Sequence, residues 1–294
     1  MSSTSSSSIA SPQIELTLKD RLTAARERLT TATQRAYGGI SSVKAYASAI
    51  DLLVQDIYRD ARKIESNPVA LVAIGGYGRQ HQCQYSDIDL LLLFDGRISR
   101  AEEEFISAIL HPLWYLGLNV GHQVRELGEF QTPEKDNPEY LVALLEARFL
   151  DGEQETYGQF HNICLSTTSV WRAPMLTALY DLTNQRHAQL NRTVFHLEPD
   201  IKDAPGGLRD ATAIRLLKGL NNRDTFDRAY LDTGRIDEAE DFMLRLRSIL
   251  HMERGRNLNT LNHELQETAA IVFGSPGDHS RSQVEALMLS LIHI

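Results

Sequence analysis

The sequence contains only two cysteines, Cys83 and Cys164. They are too few for a disulfide framework and are not spaced as metal ligands, so we expect a protein of the reducing cytoplasm. Long hydrophobic runs are also missing. Apolar runs such as Val69 to Ile74 and Leu90 to Phe94 are far shorter than the ~20 residues that a transmembrane helix requires. The sequence therefore predicts a soluble protein with no membrane partner.

An excess of positive charge is absent as well. The formal net charge is -9 over 294 residues, which gives no electrostatic reason to expect nucleic acid as a partner. Two common phosphate-binding motifs, Gly-x-x-x-x-Gly-Lys-Ser/Thr and Gly-x-Gly-x-x-Gly, do not occur. These absences exclude a P-loop enzyme and a typical dinucleotide-binding domain, and they favour a protein or small-molecule partner.

The spacing of apolar residues predicts an α+β fold, with a small mixed sheet flanked by helices and followed by an all-helical region. Strands are predicted at 69–74, 87–94 and 118–124. Helices are predicted at 14–37, 41–64, 102–116, 138–149, 173–192, 208–220, 236–254 and 263–272.

The strand signals fade after residue 151, which suggests a division into regions. We expect a disordered Ser-rich tail at 1–13, a catalytic domain with N-terminal helices at 14–155, and a helical domain at 156–288. An irregular connection at 197–210 belongs to the helical domain. The last residues, 289–294, match the translation of an adaptor used in transposon-based sequencing, so we expect this tail to be non-native.

Two acidic residues open the most apolar predicted strand. Asp87 and Asp89 are two positions apart, and the period of a strand places both carboxylates on one face. Two carboxylates this close repel each other unless cations neutralise them. Mg²⁺ is the natural partner, because it binds one or two carboxylates together with phosphate oxygens and water. The pair predicts a metal-dependent phosphoryl or nucleotidyl transfer site.

A glycine turn precedes this pair. Gly75 and Gly76 directly follow a strand, and a turn without Cβ atoms lets main-chain N–H groups approach a phosphate. Arg79 adds a cation that can contact a triphosphate. The ordered combination of strand, Gly-Gly, Ser86 and Asp-x-Asp is far more specific than either short motif alone.

The residues around the glycine turn and the acidic pair resemble the motifs of a known enzyme superfamily. The strings Gly75-Gly-Tyr-Gly-Arg79 and Tyr85-Ser-Asp-Ile-Asp-Leu-Leu91 resemble the signature of the DNA polymerase beta type nucleotidyltransferases. Together with Leu197-Glu-Pro-Asp-Ile-Lys-Asp-Ala-Pro-Gly-Gly-Leu-Arg-Asp210, they resemble the N-terminal part of the PII uridylyltransferase/uridylyl-removing family. Weaker similarity includes Leu246-Arg-Ser-Ile-Leu-His251.

The resemblance implies transfer of UMP from UTP to a tyrosine hydroxyl of the PII nitrogen-regulatory protein, with release of pyrophosphate. It implies that Gly75, Gly76 and Ser86 hold the triphosphate, and that Asp87 and Asp89 bind Mg²⁺. It also implies that the uridylyl-removing and sensory domains of the family are missing from this sequence, which we expect to be a fragment.

The sequence departs from the family in two places. The stretch Gln80 to Gln84 lacks the Gly-Glu-Leu and the proline expected after Arg79, which puts the geometry of this loop in question. The superfamily also has a third carboxylate on a later strand, and the strand at 118–124 has none. Glu126 and Glu146 are the nearest candidates.

Several alternatives stay open at this point. In the connection at 197–210, Lys202 and Arg209 contact nucleotide phosphate in a functional interpretation, supported by Asp200 or Asp210. In a structural interpretation Pro205 to Gly207 form a turn and Asp210 is an ordinary surface acid. For the whole chain, the alternatives to uridylyl transfer are another nucleotidyltransferase, such as one with an adenylyl donor, and an inactive regulatory module that binds nucleotide or PII.

Overall fold

Four short strands form one mixed sheet: β1 (Val69–Ala73), β2 (Ile88–Phe94), β3 (Val120–Glu126) and β4 (Arg148–Gly152). In this computed structural model, which describes residues 12–134, 136–166, 169–220, 233–274 and 282–293, the order of the strands is β3-β2-β1-β4. Strands β2 and β3 are parallel, whereas β1 pairs antiparallel with both β2 and β4. The sheet is thus small and mixed, as the sequence predicts.

Helices precede, interrupt and follow the sheet, which confirms the predicted α+β fold. In chain order they are α1 (Pro12–Gln34), α2 (Ile40–Ala61), α3 (Gly75–Gly78), α4 (Arg100–Tyr115), the 3-10 helix η1 (Leu127–Gln131), α5 (Pro138–Leu144), α6 (Gln154–Cys164), α7 (Arg172–Gln189), α8 (Leu208–Leu220), α9 (Thr233–Arg254), α10 (His263–Phe273) and α11 (Gln283–His293). None of the described helices is long and apolar enough to cross a membrane.

The helix predicted at 138–149 is wrong in its second half. Helix α5 ends at Leu144, and the chain enters β4 at Arg148. The guanidinium of Arg148 donates hydrogen bonds of 2.9 and 3.0 Å to the two carboxylate oxygens of Asp51 on α2, and one of 2.9 Å to the carbonyl of Gly78. These long-range contacts, together with pairing to β1, override the helical preference of the Leu-, Ala- and Glu-rich segment.

Three further elements differ from the sequence-based expectation. Helix α6 was not predicted. The glycine segment after β1 is not an open loop, since Gly75 to Gly78 form a single helical turn. The strand predicted from residue 87 begins at Ile88, so Asp87 lies immediately before it.

The sheet is covered on both faces, and this explains why every residue of β1 is buried. Alternate residues of β1 and β2, such as Leu71 and Leu90, pack in a first cluster with α1, α2 and α4. The intervening residues, such as Val72 and Leu91, pack in a second cluster with α5, α6 and the start of α7. Each face of the sheet therefore packs against its own set of helices.

The apolar core continues across residue 155, where the sequence suggests a domain boundary. Met243 and Leu244 of α9 belong to the first cluster together with the N-terminal helices, and Phe160 of α6 belongs to the second. A third cluster joins α9, α10 and α11. The expected tail at 1–13 lies outside the described residues except for its last two positions, where α1 begins.

Candidate functional site

A cavity of about 700 Å³ lies between the glycine turn and the helices that follow the sheet. One wall is formed by α3, the start of β2 and α5, and the other by α7, α8, α9 and the connection before α8. Its volume falls within the range of small-molecule pockets. The predicted site residues that line it are Gly75, Gly76, Arg79, Ser86, Asp87, Asp89, Glu146, Lys202 and Arg209.

The two carboxylates predicted to act together both face this cavity. Asp87 is fixed through its main-chain carbonyl, which accepts a 2.8 Å hydrogen bond from the amide of Gln82, and one of its carboxylate oxygens accepts from Asn119. Asp89 is anchored by its main-chain carbonyl, which accepts from the N–H of Ile74 at 3.0 Å. Burial and the neighbouring charge of Asp87 raise the pKa of Asp89, although Lys202 opposes this rise.

Glycines surround the carboxylate of Asp89. Gly75 has φ +56°, and a Cβ at this position would lie 3.6 Å from one oxygen of Asp89. Gly121 on β3 lies opposite Asp89, and a Cβ there would come within 2.6 Å of the other oxygen. Position 121 of β3 therefore has no room for a side chain beside Asp89. This is a physical reason why position 121 carries no third carboxylate.

Ser86 stabilises the loop that leads to the carboxylates. Its hydroxyl oxygen accepts a 3.1 Å hydrogen bond from the N–H of Cys83, and its own N–H donates to the carbonyl of Cys83 at 3.0 Å. Because Ser86 also lines the cavity, its hydroxyl proton remains available to an incoming phosphate oxygen.

Arg79 and Glu146 form an ion pair at the edge of the cavity. The Nε of Arg79 also donates a 3.1 Å hydrogen bond to Nδ1 of His81. Burial raises the pKa of Glu146, and the guanidinium of Arg79 counteracts this effect. Glu146 is thus the partner of Arg79 and orients this guanidinium on the cavity wall.

In the part of the chain that the structure describes, no third carboxylate joins the pair. Within the described residues, no group of three or more His, Cys, Asp or Glu side chains is placed to hold a metal ion. Glu126 lies at the far end of β3, opposite Phe94, where it accepts from the N–H of Ile98 at 3.0 Å. Two hard carboxylate oxygen donors still suit Mg²⁺, which completes its shell with phosphate and water oxygens. Asp87 and Asp89 therefore fit this metal.

The connection between α7 and α8 forms part of the opposite wall. One carboxylate oxygen of Asp200 accepts from the N–H groups of Lys202 and Asp203 at 2.8 and 2.7 Å, which fixes the turn that presents Lys202 to the cavity. Arg209 is 55% exposed and forms an ion pair of 2.5 Å with Asp203. Lys202 is thus better placed than Arg209 to meet a ligand.

Asp210 is not an ordinary surface acid. It lies 2.5 Å from the guanidinium of Arg186 and 2.9 Å from the imidazole of His187, both on α7, and it accepts from the N–H of Gly206 at 2.7 Å. Asp210 therefore ties the connection to α7.

The structure adds residues that the sequence interpretation missed. Arg186 and Arg247 line the cavity, and Asn119 donates a hydrogen bond to a carboxylate oxygen of Asp87. Arg247 belongs to the weakly similar string at 246–251, but helical periodicity alone does not indicate which residues of a helix face a ligand. Asn119 precedes a strand and carries no motif. Only the packing of α9 and β3 brings these residues to the site.

The fold and the site together define a class. A small mixed sheet, a glycine turn after its first strand and paired carboxylates at the start of the next form the core expected of a nucleotidyltransferase, here followed by a helical part.

The comparisons with known proteins agree with this class. Residues 175–293 match a family model described as GlnD PII-uridylyltransferase. The chain is 32% identical over 251 residues to the bifunctional uridylyltransferase/uridylyl-removing enzyme of Pasteurella multocida, covering 82% of this chain and 29% of that protein. It is 33% identical over 259 residues to the enzyme of the same name from Vibrio parahaemolyticus, covering 84% of this chain and 29% of that protein.

The chain is therefore a relative of the bifunctional uridylyltransferase/uridylyl-removing enzymes. It spans less than a third of the length of the curated relatives that it matches.

Proposed function

We propose that this chain transfers UMP from UTP to a tyrosine hydroxyl of a PII-type protein and releases pyrophosphate. The observation that carries the proposal is the placement of Asp87 and Asp89 beside the glycine turn, on the wall of a cavity that also holds Lys202. The relatives named above are uridylyltransferases by name, which favours UTP over other donors.

The residues of the chain have distinct roles in this proposal. The N–H groups at Gly75 and Gly76 and the hydroxyl of Ser86 bind the triphosphate, and Arg79, oriented by Glu146, lies beside it. Asp87 and Asp89 hold Mg²⁺, which when bound neutralises phosphate charge and stabilises the charge that develops on the leaving pyrophosphate. Lys202 and the more exposed Arg209 approach from the opposite wall.

The reaction is an in-line displacement at the α-phosphorus. The tyrosine oxygen forms a bond to this phosphorus while the bond to the bridging oxygen of pyrophosphate breaks, and the hydroxyl proton is lost to solvent. Positioning accounts for most of the rate, because the two walls hold donor and acceptor in one geometry.

The test measures transfer of label from α-labelled UTP to a purified PII protein in the presence of Mg²⁺. We expect transfer by the wild-type chain, loss of at least about a hundredfold in Asp87→Asn and Asp89→Asn, and more transfer from UTP than from ATP. Asp95→Asn is the matched control, since Asp95 is an exposed acid just beyond the other end of β2. A PII variant with Phe in place of its acceptor tyrosine should remain unlabelled.

A second candidate is a regulatory module that binds nucleotide without turnover. It is favoured by the absence of a three-carboxylate cluster in the described part of the chain. Binding of UTP by the wild-type chain without any transfer would support this candidate. Full activity of both Asp→Asn variants would contradict the metal-dependent mechanism, and a preference for ATP would indicate a different nucleotidyltransferase.

A further inference from the structure

Arg247 is a buried cation without an anionic partner among the described residues. It lies on α9, is 6% exposed and lines the cavity. Its Nε donates a 2.9 Å hydrogen bond to the side-chain oxygen of Asn259, and another of its nitrogens donates at 3.2 Å to that of Asn257. Both acceptors are neutral amides, and Arg247 forms no ion pair with a carboxylate in the described segments. A guanidinium in this environment is held in place but not neutralised.

Lys202 shares this property. Its main chain is fixed by Asp200, and its side chain lines the same cavity, but its ammonium forms no ion pair with any described carboxylate. Burial and then the positive charge of Arg247 lower the pKa of Lys202, so the two cations are close enough to repel each other.

The other cations of the cavity wall are compensated. Arg79 pairs with Glu146, Arg186 with Asp210, and Arg209 with Asp203. Lys202 and Arg247 differ from them in having no such partner among the described residues.

Three titratable groups near Arg247 are neutral and do not replace a counter-ion. Burial is the main cause that lowers the pKa of His81 and of His251 to about 2, and it raises the pKa of Cys83. All three are therefore uncharged near neutral pH. Two cations that form no ion pair among the described residues thus lie on one wall, and the carboxylates of Asp87 and Asp89 lie on the other.

We propose that Lys202 and Arg247 form a binding subsite for the β- and γ-phosphates of the donor, and that this subsite holds pyrophosphate without a metal ion. A planar guanidinium and a flexible ammonium are the two side chains best suited to bind phosphate oxygens. The inference deepens the proposed function and rests on it for the identity of the donor. It assigns the diphosphate end of the nucleotide to the helical wall and the α-phosphate to the wall of the sheet.

The test is titration calorimetry with inorganic pyrophosphate in the presence of EDTA, on the full chain. We expect the wild-type protein to bind, and Arg247→Gln and Lys202→Gln each to weaken binding by at least about tenfold. Arg247→Lys should retain part of the affinity, because it keeps the charge but loses the planar fork. Arg245→Gln is the matched control on the same helix. Arg245 lies 2.9 Å from Asp241 and should not affect pyrophosphate.

The outcomes separate this inference from the proposed function. Absence of metal-free pyrophosphate binding in the wild-type chain, or unchanged affinity in both Gln variants, overturns the subsite. If Arg247→Gln loses its circular dichroism signal, Lys202→Gln decides, because Lys202 lies on a turn and not in a helix. A chain that binds pyrophosphate through these residues but transfers no UMP would support the subsite and contradict the transferase proposal.

Discussion

At the scale of single residues, Gln80 has a backbone conformation that suits glycine. It follows the helical turn α3 and has φ +64°. The N–H of His81 donates to the carbonyl of Gly76 at 3.1 Å and that of Gln80 to Tyr77 at 3.0 Å, the two hydrogen bonds of a Schellman motif with Gln80 at the left-handed position. The departure from the family pattern after Arg79 thus falls on a strained residue.

We predict that the Gln80→Gly variant is more stable than the Gln80→Ala variant. Glycine adopts the left-handed conformation without the steric cost of a Cβ. The free energy of unfolding of Gln80→Gly should therefore exceed that of Gln80→Ala by about 1 kcal/mol. Alanine is the appropriate reference, because both variants lose the weak 3.4 Å hydrogen bond from the Gln80 amide to Asp51. Urea denaturation measures the difference, and an alanine variant as stable as the glycine variant would show that no strain is present.

Residue-level chemistry was the part of the site that the sequence predicted best. Asp87, Asp89, Gly75 and Gly76 were expected in one site, and the structure brings them together on one cavity wall. Motif spacing succeeds here because a strand and a tight turn fix the directions of side chains over short distances. The roles of these residues remain predictions until transfer is measured.

At the scale of elements, Glu102 connects the start of α4 to the segment before β1. Its carboxylate accepts hydrogen bonds from the N–H groups of Ser99 and Asn67 at 2.8 and 2.9 Å, and the hydroxyl of Ser99 completes a capping box. The Ser99 hydroxyl also donates a hydrogen bond to this carboxylate. The hydrogen bond from the Ser99 side chain has the largest effect, and together these bonds lower the pKa of Glu102 from 4.5 to about 2.

The lowered pKa predicts a pH dependence of stability. Since the folded protein binds the proton of Glu102 more weakly than the unfolded chain, this carboxylate stabilises the fold above pH 4.5, and its contribution is lost as the pH falls from 4.5 to about 2. Glu102→Gln should lower the melting temperature at pH 7 and reduce the acid-induced decrease in this interval. Glu104→Gln, an exposed acid on the same helix, should leave both unchanged. If the melting temperatures of wild type and Glu102→Gln fall by the same amount between pH 4.5 and about 2, Glu102 is not the source of this pH dependence.

The helices and strands were predicted with less uniform success than the sequence motifs of the site. Helix α8 begins at its predicted first residue, Leu208, because the Gly-Gly that precedes it is a local signal. Strand β4 was missed because its residues favour a helix in isolation. Contacts with Asp51, with Gly78 and with the edge of β1 extend it. Such contacts join parts of the chain that lie far apart in sequence, so no local window contains them.

At the scale of the whole molecule, α9 holds the N-terminal helices. A carboxylate oxygen of Asp241 accepts a 2.8 Å hydrogen bond from the N–H of Ile40, the first residue of α2. A Cβ on Gly39 would lie 1.9 Å from that oxygen. The side chain of a distant helix thus supplies the N-terminal cap that Gly39 itself cannot provide.

We predict that removing this cap weakens the whole fold. Asp241→Ala should lower the free energy of unfolding by about 1 kcal/mol, whereas Asp241→Asn should lose less because its amide oxygen still accepts the hydrogen bond. Glu238→Ala, an exposed acid on the same helix, is the control. Tryptophan fluorescence and circular dichroism should report the same shift in urea, since the apolar core is shared across residue 155. Separate transitions for the two probes would indicate two independent units.

The cavity described above has walls of opposite charge that are encoded far apart in the chain. Asp87 and Asp89 belong to the sheet, and Lys202 and Arg247 to the helical part. Substitutions in the helical part can therefore alter which anion is retained while the reactive carboxylates stay unchanged. Among descendants of such a protein, divergence in affinity for the diphosphate end of the donor should be concentrated in the connection before α8 and in α9, with the strand that bears the acids held constant.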